Sequence, residues 1–212
     1  IYWEIYLRKL IADEEGWKII LEVVEYGLSA YPNDYNLFFQ YIDLSYFLKL
    51  PENIESHLNE IVNFKYKKIE QVFYICHVLV NTSFYAEGLH LAYKTFKQHY
   101  NHPLVKRGYL GLVNKIPDDI SFNLLYSNKV QKNTFAEVIC NGSKDVIEVD
   151  EDSLNRELVK KSIGKKIGEV FTYNIGYEII NVEIKQIMTN YGKVYYDILN
   201  SNSSLQEFGI ES

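Results

Sequence analysis

Apolar and aromatic residues recur at intervals of 34 or 35 residues along the first half of this 212-residue chain. Five columns agree on this period. Two of them contain Leu44, Leu79 and Val113, and Ile20, Ile54 and Leu89. A period of this length is typical of paired helices that cannot bury their apolar faces alone and therefore stack on their neighbours. The sequence thus predicts an N-terminal α-solenoid of helical hairpins over residues 1–117.

Apolar spacing and proline positions predict where the helices of each pair begin and end. Pro32 ends one helix because a helix cannot pass a proline without losing a backbone hydrogen bond. Asp34 then offers a cap for the next. The predicted helices cover 1–12, 17–31, 35–48, 52–64, 69–82, 83–100 and 103–115.

This N-terminal region resembles the tetratricopeptide repeat family. The resemblance rests on the 34-residue helix pair, on Leu7 early in the first helix, on Gly27 late in the second and on Pro32 closing it. Arg8 and Ile20 replace the small residues that the family places where its helices cross. An irregular helical-repeat family of the same architecture is the alternative, and either implies a surface that binds a protein partner.

From Thr134 the apolar period shortens towards two, which predicts β-strands. Asn141-Gly142 is a strong signal for a tight hairpin turn, and Gly176 marks a second one. A short helix capped by residues 150–153 and closed by cations lies between the hairpins. Strands are predicted over 135–140, 146–149, 170–175 and 177–186. This order predicts a small antiparallel sheet with one short helix, and the whole chain is therefore an α+β protein of two domains.

The predicted domain limits follow these changes of period. Residues 1–117 form the helical repeat domain, and 118–132 form a linker that is either helical or irregular. Residues 133–188 form the second domain. The tail, 189–212, has a helix-like pattern and either packs on that domain or leads into a missing one. The absence of an initiator Met favours a piece of a longer protein.

The second domain resembles the C-terminal domain of the Gre-type transcription elongation factors, which is similar to the FKBP fold. The resemblance is carried by Ile163-Gly164-Lys165, by Gly168-Glu169-Val170 and by the strand that begins Tyr177-Glu178-Ile179. It implies a non-catalytic module, a transcription-associated adaptor that binds RNA polymerase. Helical repeats and Gre-type domains also occur together in long bacterial proteins. The alternative is therefore a scaffold fragment of a larger conflict or defence protein whose nuclease-like domain lies outside this chain.

The resemblance places the polymerase contact at the start of the short helix, which here corresponds to Asp152 and Ser153. The family's proline is missing there and the predicted helix is longer, so we expect weak polymerase binding through this surface or a changed partner. A basic cluster follows it closely in the sequence. The partner-binding candidates are Asp152, Ser153, Arg156, Lys160, Lys161, Lys165 and Lys166.

No motif predicts an enzyme, a cofactor or a metal site. Cys76-His77 is interpreted as a core cysteine beside a histidine rather than a catalytic pair, since adjacent helical residues point about 100° apart. His99 and His102 have a spacing that suits metal ligands, but a surface turn is favoured. Asp118-Asp119 is interpreted as a solvated helix cap.

Composition excludes several further classes of protein. The net charge of −6 lacks the basic excess of a nucleic-acid binder, so no direct nucleic-acid binding is expected. No apolar run is long enough to span a bilayer. Two cysteines do not form a disulfide framework, which favours a reducing cytoplasm.

Overall fold

A computed structural model describes residues 14–201. The described residues form two compact units: the first contains 14–65 together with 81–84, and the second contains 66–80 and 85–201. Helices come first in the chain and a four-stranded antiparallel sheet follows, which confirms the predicted α+β class. The helix predicted over 1–12 lies outside the described residues.

The helices before the sheet begin and end close to the predicted limits. They are α1 (Glu14–Ala30), α2 (Tyr35–Phe47), α3 (Pro51–Ser56), α4 (Leu58–Asn63), α5 (Ile69–Asn81), α6 (Tyr85–Gln98), α7 (Pro103–Val113) and α8 (Asp118–Leu125). Asp34 caps α2, and its Oδ1 accepts hydrogen bonds from the backbone N–H groups of Asn36 at 2.8 Å and Leu37 at 3.0 Å. The predicted cap is therefore confirmed. Within the described residues, no helix is long and apolar enough to cross a membrane.

The single helix predicted over 52–64 is instead two short helices, α3 and α4, which meet at His57. The backbone of His57 leaves the helical region at φ −116° and ψ 13°. Its Nδ1 lies 3.1 Å from the carbonyl oxygen of Asn53 and 2.9 Å from the hydroxyl of Ser56. A side chain that competes for a carbonyl four residues earlier weakens the helical ladder at that point.

Two repeat columns contain only buried side chains. Leu44, Leu79 and Val113 are all buried in one column. Ile20, Ile54 and Leu89 are all buried in the other. The column of Phe39, Tyr74 and Tyr109 is mixed: Tyr109 is fully buried, whereas Tyr74 is 36% exposed. The period therefore predicted core positions best where the residues are aliphatic.

The sheet consists of two hairpins, and the first strand of one pairs with the second strand of the other in its centre. The strands are β1 (Thr134–Cys140), β2 (Ser143–Val149), β3 (Val170–Ile175) and β4 (Glu178–Thr189), in the order β2-β1-β4-β3. Asn141 and Gly142 have φ of 48° and 89°, the left-handed pair that a type I′ turn requires. A bulge shifts the β1–β4 register between Glu137 and Val138.

One face of the sheet is covered by the segment between the hairpins. Val159 from helix α9 (Glu157–Ser162) is buried there, and Leu154 and Leu158 pack beside it. The predicted continuous helix is instead a 3₁₀ turn over Ser153–Asn155 and then α9, separated by the extended backbone of Arg156. The sheet side of this core contains Ala136, Val138, Ile147, Val149, Val182, Ile184 and Ile187.

The described part of the tail forms helix α10 (Asn190–Asn200), as its pattern predicted, and this helix packs within the second unit. The hydroxyl of Thr189 accepts a hydrogen bond from the N–H of Gly192 at 3.2 Å and thereby caps the helix. Val194 and Ile198 are buried. The helix contacts α8, β4 and β1, and also α6 and α7.

Candidate functional site

Ser153, one of the two residues matched to the Gre-type contact, uses its polar groups internally. Its side chain is buried, at 4% exposure. The hydroxyl accepts from the backbone N–H of Asp150 at 2.9 Å and donates to the Asp150 carbonyl at 3.1 Å. The Asp150 carboxylate in turn accepts from the Ser153 N–H at 2.7 Å, and its hydrogen bonds to Ser153 lower its pKa. Asp152 is exposed, so of the two matched residues only Asp152 presents its polar side chain to a partner.

The predicted basic cluster is partly neutralised by local acids. Lys161 lies 3.3 Å from Glu157, and Lys165 lies 3.1 Å from Glu169. The hydrogen bond from Lys165 is the main cause of the lowered pKa of Glu169. Arg156, Lys160 and Lys166 are exposed. The structure therefore leaves a smaller positive surface than the sequence predicted.

A groove of about 600 Å³ opens beside this cluster, within the second unit. Three segments surround it: the end of α8 together with the chain that follows, the loop before β3, and the end of β4. Its lining residues are Phe122, Asn123, Tyr126, Ser127, Asn128, Gln131, Lys166, Ile167 and Thr189. Lys166 is the one predicted site residue that lines it.

The groove combines apolar walls with one positive charge. Phe122 in α8 is 61% exposed, and Ile167 in the loop before β3 is 52% exposed. The rings of Phe122 and Tyr126 are 5.1 Å apart. Burial raises the pKa of Tyr126, so its phenol stays protonated and can donate a hydrogen bond at neutral pH. This lining contains no carboxylate, histidine or thiol. It is suited to holding a large apolar side chain next to an acidic group.

A second exposed surface lies on the β3–β4 hairpin, and the sequence analysis did not identify it. Val170, Ile175, Tyr177 and Ile179 are all more than half exposed. The sequence feature that predicts this surface is the pair Ile179-Ile180. Neighbours on a strand point to opposite faces, so one of two adjacent isoleucines must point away from the core.

The cysteine and histidine candidates lie apart from both surfaces. Cys76 is fully buried and burial strongly raises the pKa of its thiol, which confirms it as a core residue. Burial, with the nearby charge of Lys115, lowers the pKa of His77, whose Nδ1 is buried without a hydrogen-bond partner among the described residues. His99 and His102 are exposed. Between residues 14 and 201, no three His, Cys, Asp or Glu side chains are grouped as metal ligands.

No family model matches the chain, and no curated protein or solved structure matches it. The resemblances to tetratricopeptide repeats and to Gre-type domains therefore stay predictions that rest on the residues quoted for them.

Proposed function

We propose that this chain is a non-catalytic protein-interaction module whose groove, lined by Phe122, Tyr126, Lys166 and Ile167, holds a peptide segment of a partner. The observation that carries the proposal is that Phe122 and Ile167, two large and largely exposed apolar side chains, line the same groove. Large apolar side chains exposed around a concavity are typical of surfaces that another protein covers.

The lining also defines the chemistry of the partner. A bulky apolar side chain fits between Phe122 and Ile167, and a neighbouring Asp or Glu pairs with Lys166. The amides of Asn123, Asn128 and Gln131 supply donors and acceptors for an extended backbone. Binding energy at such sites is concentrated in a few central residues, each worth about 2 kcal/mol or more on truncation. We assign that role to Phe122.

RNA polymerase is the partner that the Gre-type resemblance suggests, which makes the chain a transcription-associated adaptor. The burial of Ser153 argues against a contact through the turn at 150–153. The groove offers a separate surface of the same unit. If polymerase binds, we therefore expect it to depend on Phe122 and Lys166 rather than on Asp152.

The helical repeats are proposed to bind a second protein partner. In the first compact unit, Tyr26, Tyr31 and Phe47 are 79%, 69% and 60% exposed. Tyrosine and phenylalanine are enriched in the centres of protein interfaces.

Selection from a displayed library of peptides tests the proposal, followed by titration of purified bacterial RNA polymerase onto the immobilised 212-residue chain. We expect peptides with an apolar residue beside an acidic one, and a loss of at least about tenfold in affinity for both Phe122→Ala and Lys166→Glu. Tyr100→Ala is the matched control, since it removes an exposed aromatic ring that lies outside the groove. Peptide binding without polymerase binding would favour the scaffold role. Failure to select any peptide, or peptides whose binding ignores both groove variants, would refute the assignment of this groove.

A further inference from the structure

The two edges of the sheet differ in how they are protected from pairing with another strand. The edge strand β2 carries three charged residues, Lys144, Asp145 and Glu148. The opposite edge strand, β3, has the sequence Val-Phe-Thr-Tyr-Asn-Ile, with no charge and no proline. Among residues 14–201, no strand pairs with the outer side of β3. Natural edge strands are normally blunted by charges, prolines or bulges, so an uncharged one is a candidate for strand addition.

The backbone of β3 shows which of its groups point away from the sheet. The carbonyl oxygen of Thr172 accepts a hydrogen bond at 3.0 Å from the ammonium group of Lys161, so this carbonyl faces the open edge rather than β4. Backbone groups alternate in direction along an antiparallel strand, and those of Val170 and Asn174 therefore face the same way. Lys161 covers the middle of the edge.

Exposed apolar side chains lie at both ends of β3. Val170 at its start is 62% exposed, whereas Ile175 at its end is 56% exposed and the following Tyr177 is completely exposed. Val170 and Ile175 are five residues apart and lie on opposite faces of the strand, so a two-fold axis through residue 173 brings Ile175 of one copy opposite Phe171 of the other rather than opposite Val170. This reciprocal pairing of Ile175 with Phe171 is the self-complementarity that an isologous interface requires.

We propose that the chain forms a homodimer by antiparallel pairing of β3 with β3 of a second copy, which joins the two sheets into one of eight strands. Residues opposite each other must lie on the same face, so the axis passes through residue 172 or residue 173. Because β3 contains no charged residue, neither register brings like charges of the two strands together. Lys161 competes with the incoming strand for the Thr172 carbonyl and keeps the association weak.

Analytical ultracentrifugation of the 212-residue chain tests this inference, with concentrations up to about 1 mM. We expect a dimer with a dissociation constant between roughly 10 µM and 1 mM, in the range of small, transient interfaces. Thr172→Pro removes an N–H that faces the open edge, so it spares the pairing with β4 and abolishes the dimer. Thr172→Val is the matched control that keeps a β-branched residue and the dimer.

Two further variants keep the test decisive if Thr172→Pro fails to fold. Val170→Lys places a charge on the edge and should weaken the dimer at least about tenfold. Lys161→Ala should strengthen it, because the Thr172 carbonyl is then uncovered. Circular dichroism verifies that each variant is folded. A wild-type chain that stays monomeric up to about 1 mM, or a dimer that Val170→Lys leaves intact, would overturn the proposal. An unchanged dimer in Lys161→Ala would overturn the role of Lys161. Val170, Thr172 and Lys161 do not line the groove, so this result is independent of peptide binding.

Discussion

Replacing Gly192 by Ala is expected to destabilise the second unit strongly, because α10 approaches the end of α8 too closely for a side chain. A Cβ atom built at Gly192 would lie 1.9 Å from the carbonyl oxygen of Leu125 and 2.9 Å from its carbonyl carbon. Real Cβ contacts essentially never fall below 3.0 Å, so the two backbones must separate by at least about 1.1 Å. The obstacle is backbone, which cannot rotate away as a side chain could.

The expected loss in the free energy of unfolding is the sum of three contributions. Overpacking of a tight contact costs about 1–3 kcal/mol, and an unyielding backbone contact belongs at the upper end. The same shift strains the hydroxyl of Thr189, which donates to the Leu124 carbonyl at 2.7 Å and accepts from Gly192, at a cost of about 1 kcal/mol. The higher helix propensity of Ala offsets at most about 1 kcal/mol of this loss. The net expected loss is therefore about 3 kcal/mol.

Urea denaturation followed by far-ultraviolet circular dichroism measures this loss, with Gly111→Ala as the matched control. Gly111 lies in helix α7, and a Cβ there meets nothing within 4 Å. That substitution should therefore stabilise the chain by about 0.5–1 kcal/mol through helix propensity alone. A Gly192→Ala chain within about 0.5 kcal/mol of the wild type would refute the close packing of α10 on α8.

Three further predictions concern the core and its buried titratable groups. Leu44→Ala and Leu79→Ala should each cost about 2–5 kcal/mol in the free energy of unfolding, and a loss below about 0.5 kcal/mol at both would contradict the repeat alignment. Thiol labelling of the native chain followed by mass spectrometry should show slow reaction at Cys140 and reaction at Cys76 only after unfolding. Burial hides the Cys76 sulfur and raises the pKa of its thiol. Early modification of Cys76 would contradict this. Stability measured against pH should fall as the pH drops below about 6.5, because the lowered pKa of His77 lets the unfolded chain bind a proton that the folded chain resists. His77→Gln should flatten that part of the curve, and an unchanged slope would exclude His77 as its cause.

The sequence predicted elements well wherever a local signal determines them. Asp34 caps a helix through its own side chain, and Asn141-Gly142 adopts the left-handed conformations that a two-residue turn needs. The two hairpins followed from such turns and from alternation alone. The interruption at His57 was missed, because it depends on a side chain that bonds a carbonyl within a stretch whose apolar pattern is still helical.

The candidate site was less predictable, since it depends on contacts between distant segments. Five cations that are close in the sequence suggested one basic surface, yet Lys161 and Lys165 are each paired with an acid four residues away. The groove joins Phe122 to Lys166 and Thr189, which no sequence spacing relates. The bulge in β1–β4 pairing likewise follows from the register of distant strands.

Tyr191, in the helix after the sheet, contacts three residues of the helices before the sheet. Its backbone carbonyl accepts a hydrogen bond at 3.1 Å from the hydroxyl of Tyr109, which is fully buried. Its own hydroxyl lies 3.1 Å from Nδ1 of His90, and its ring meets the edge of Tyr93 with centroids 5.4 Å apart. A chain cut at residue 118 would keep the segment that resembles a Gre-type domain but would lose all three partners of Tyr191. Helix α10 would then expose the face that packs on α6 and α7, and Thr189, which caps this helix, lines the groove. If a partner bound the whole chain but not this truncated one, the lost packing of α10 would explain the difference, and the result would not test the groove.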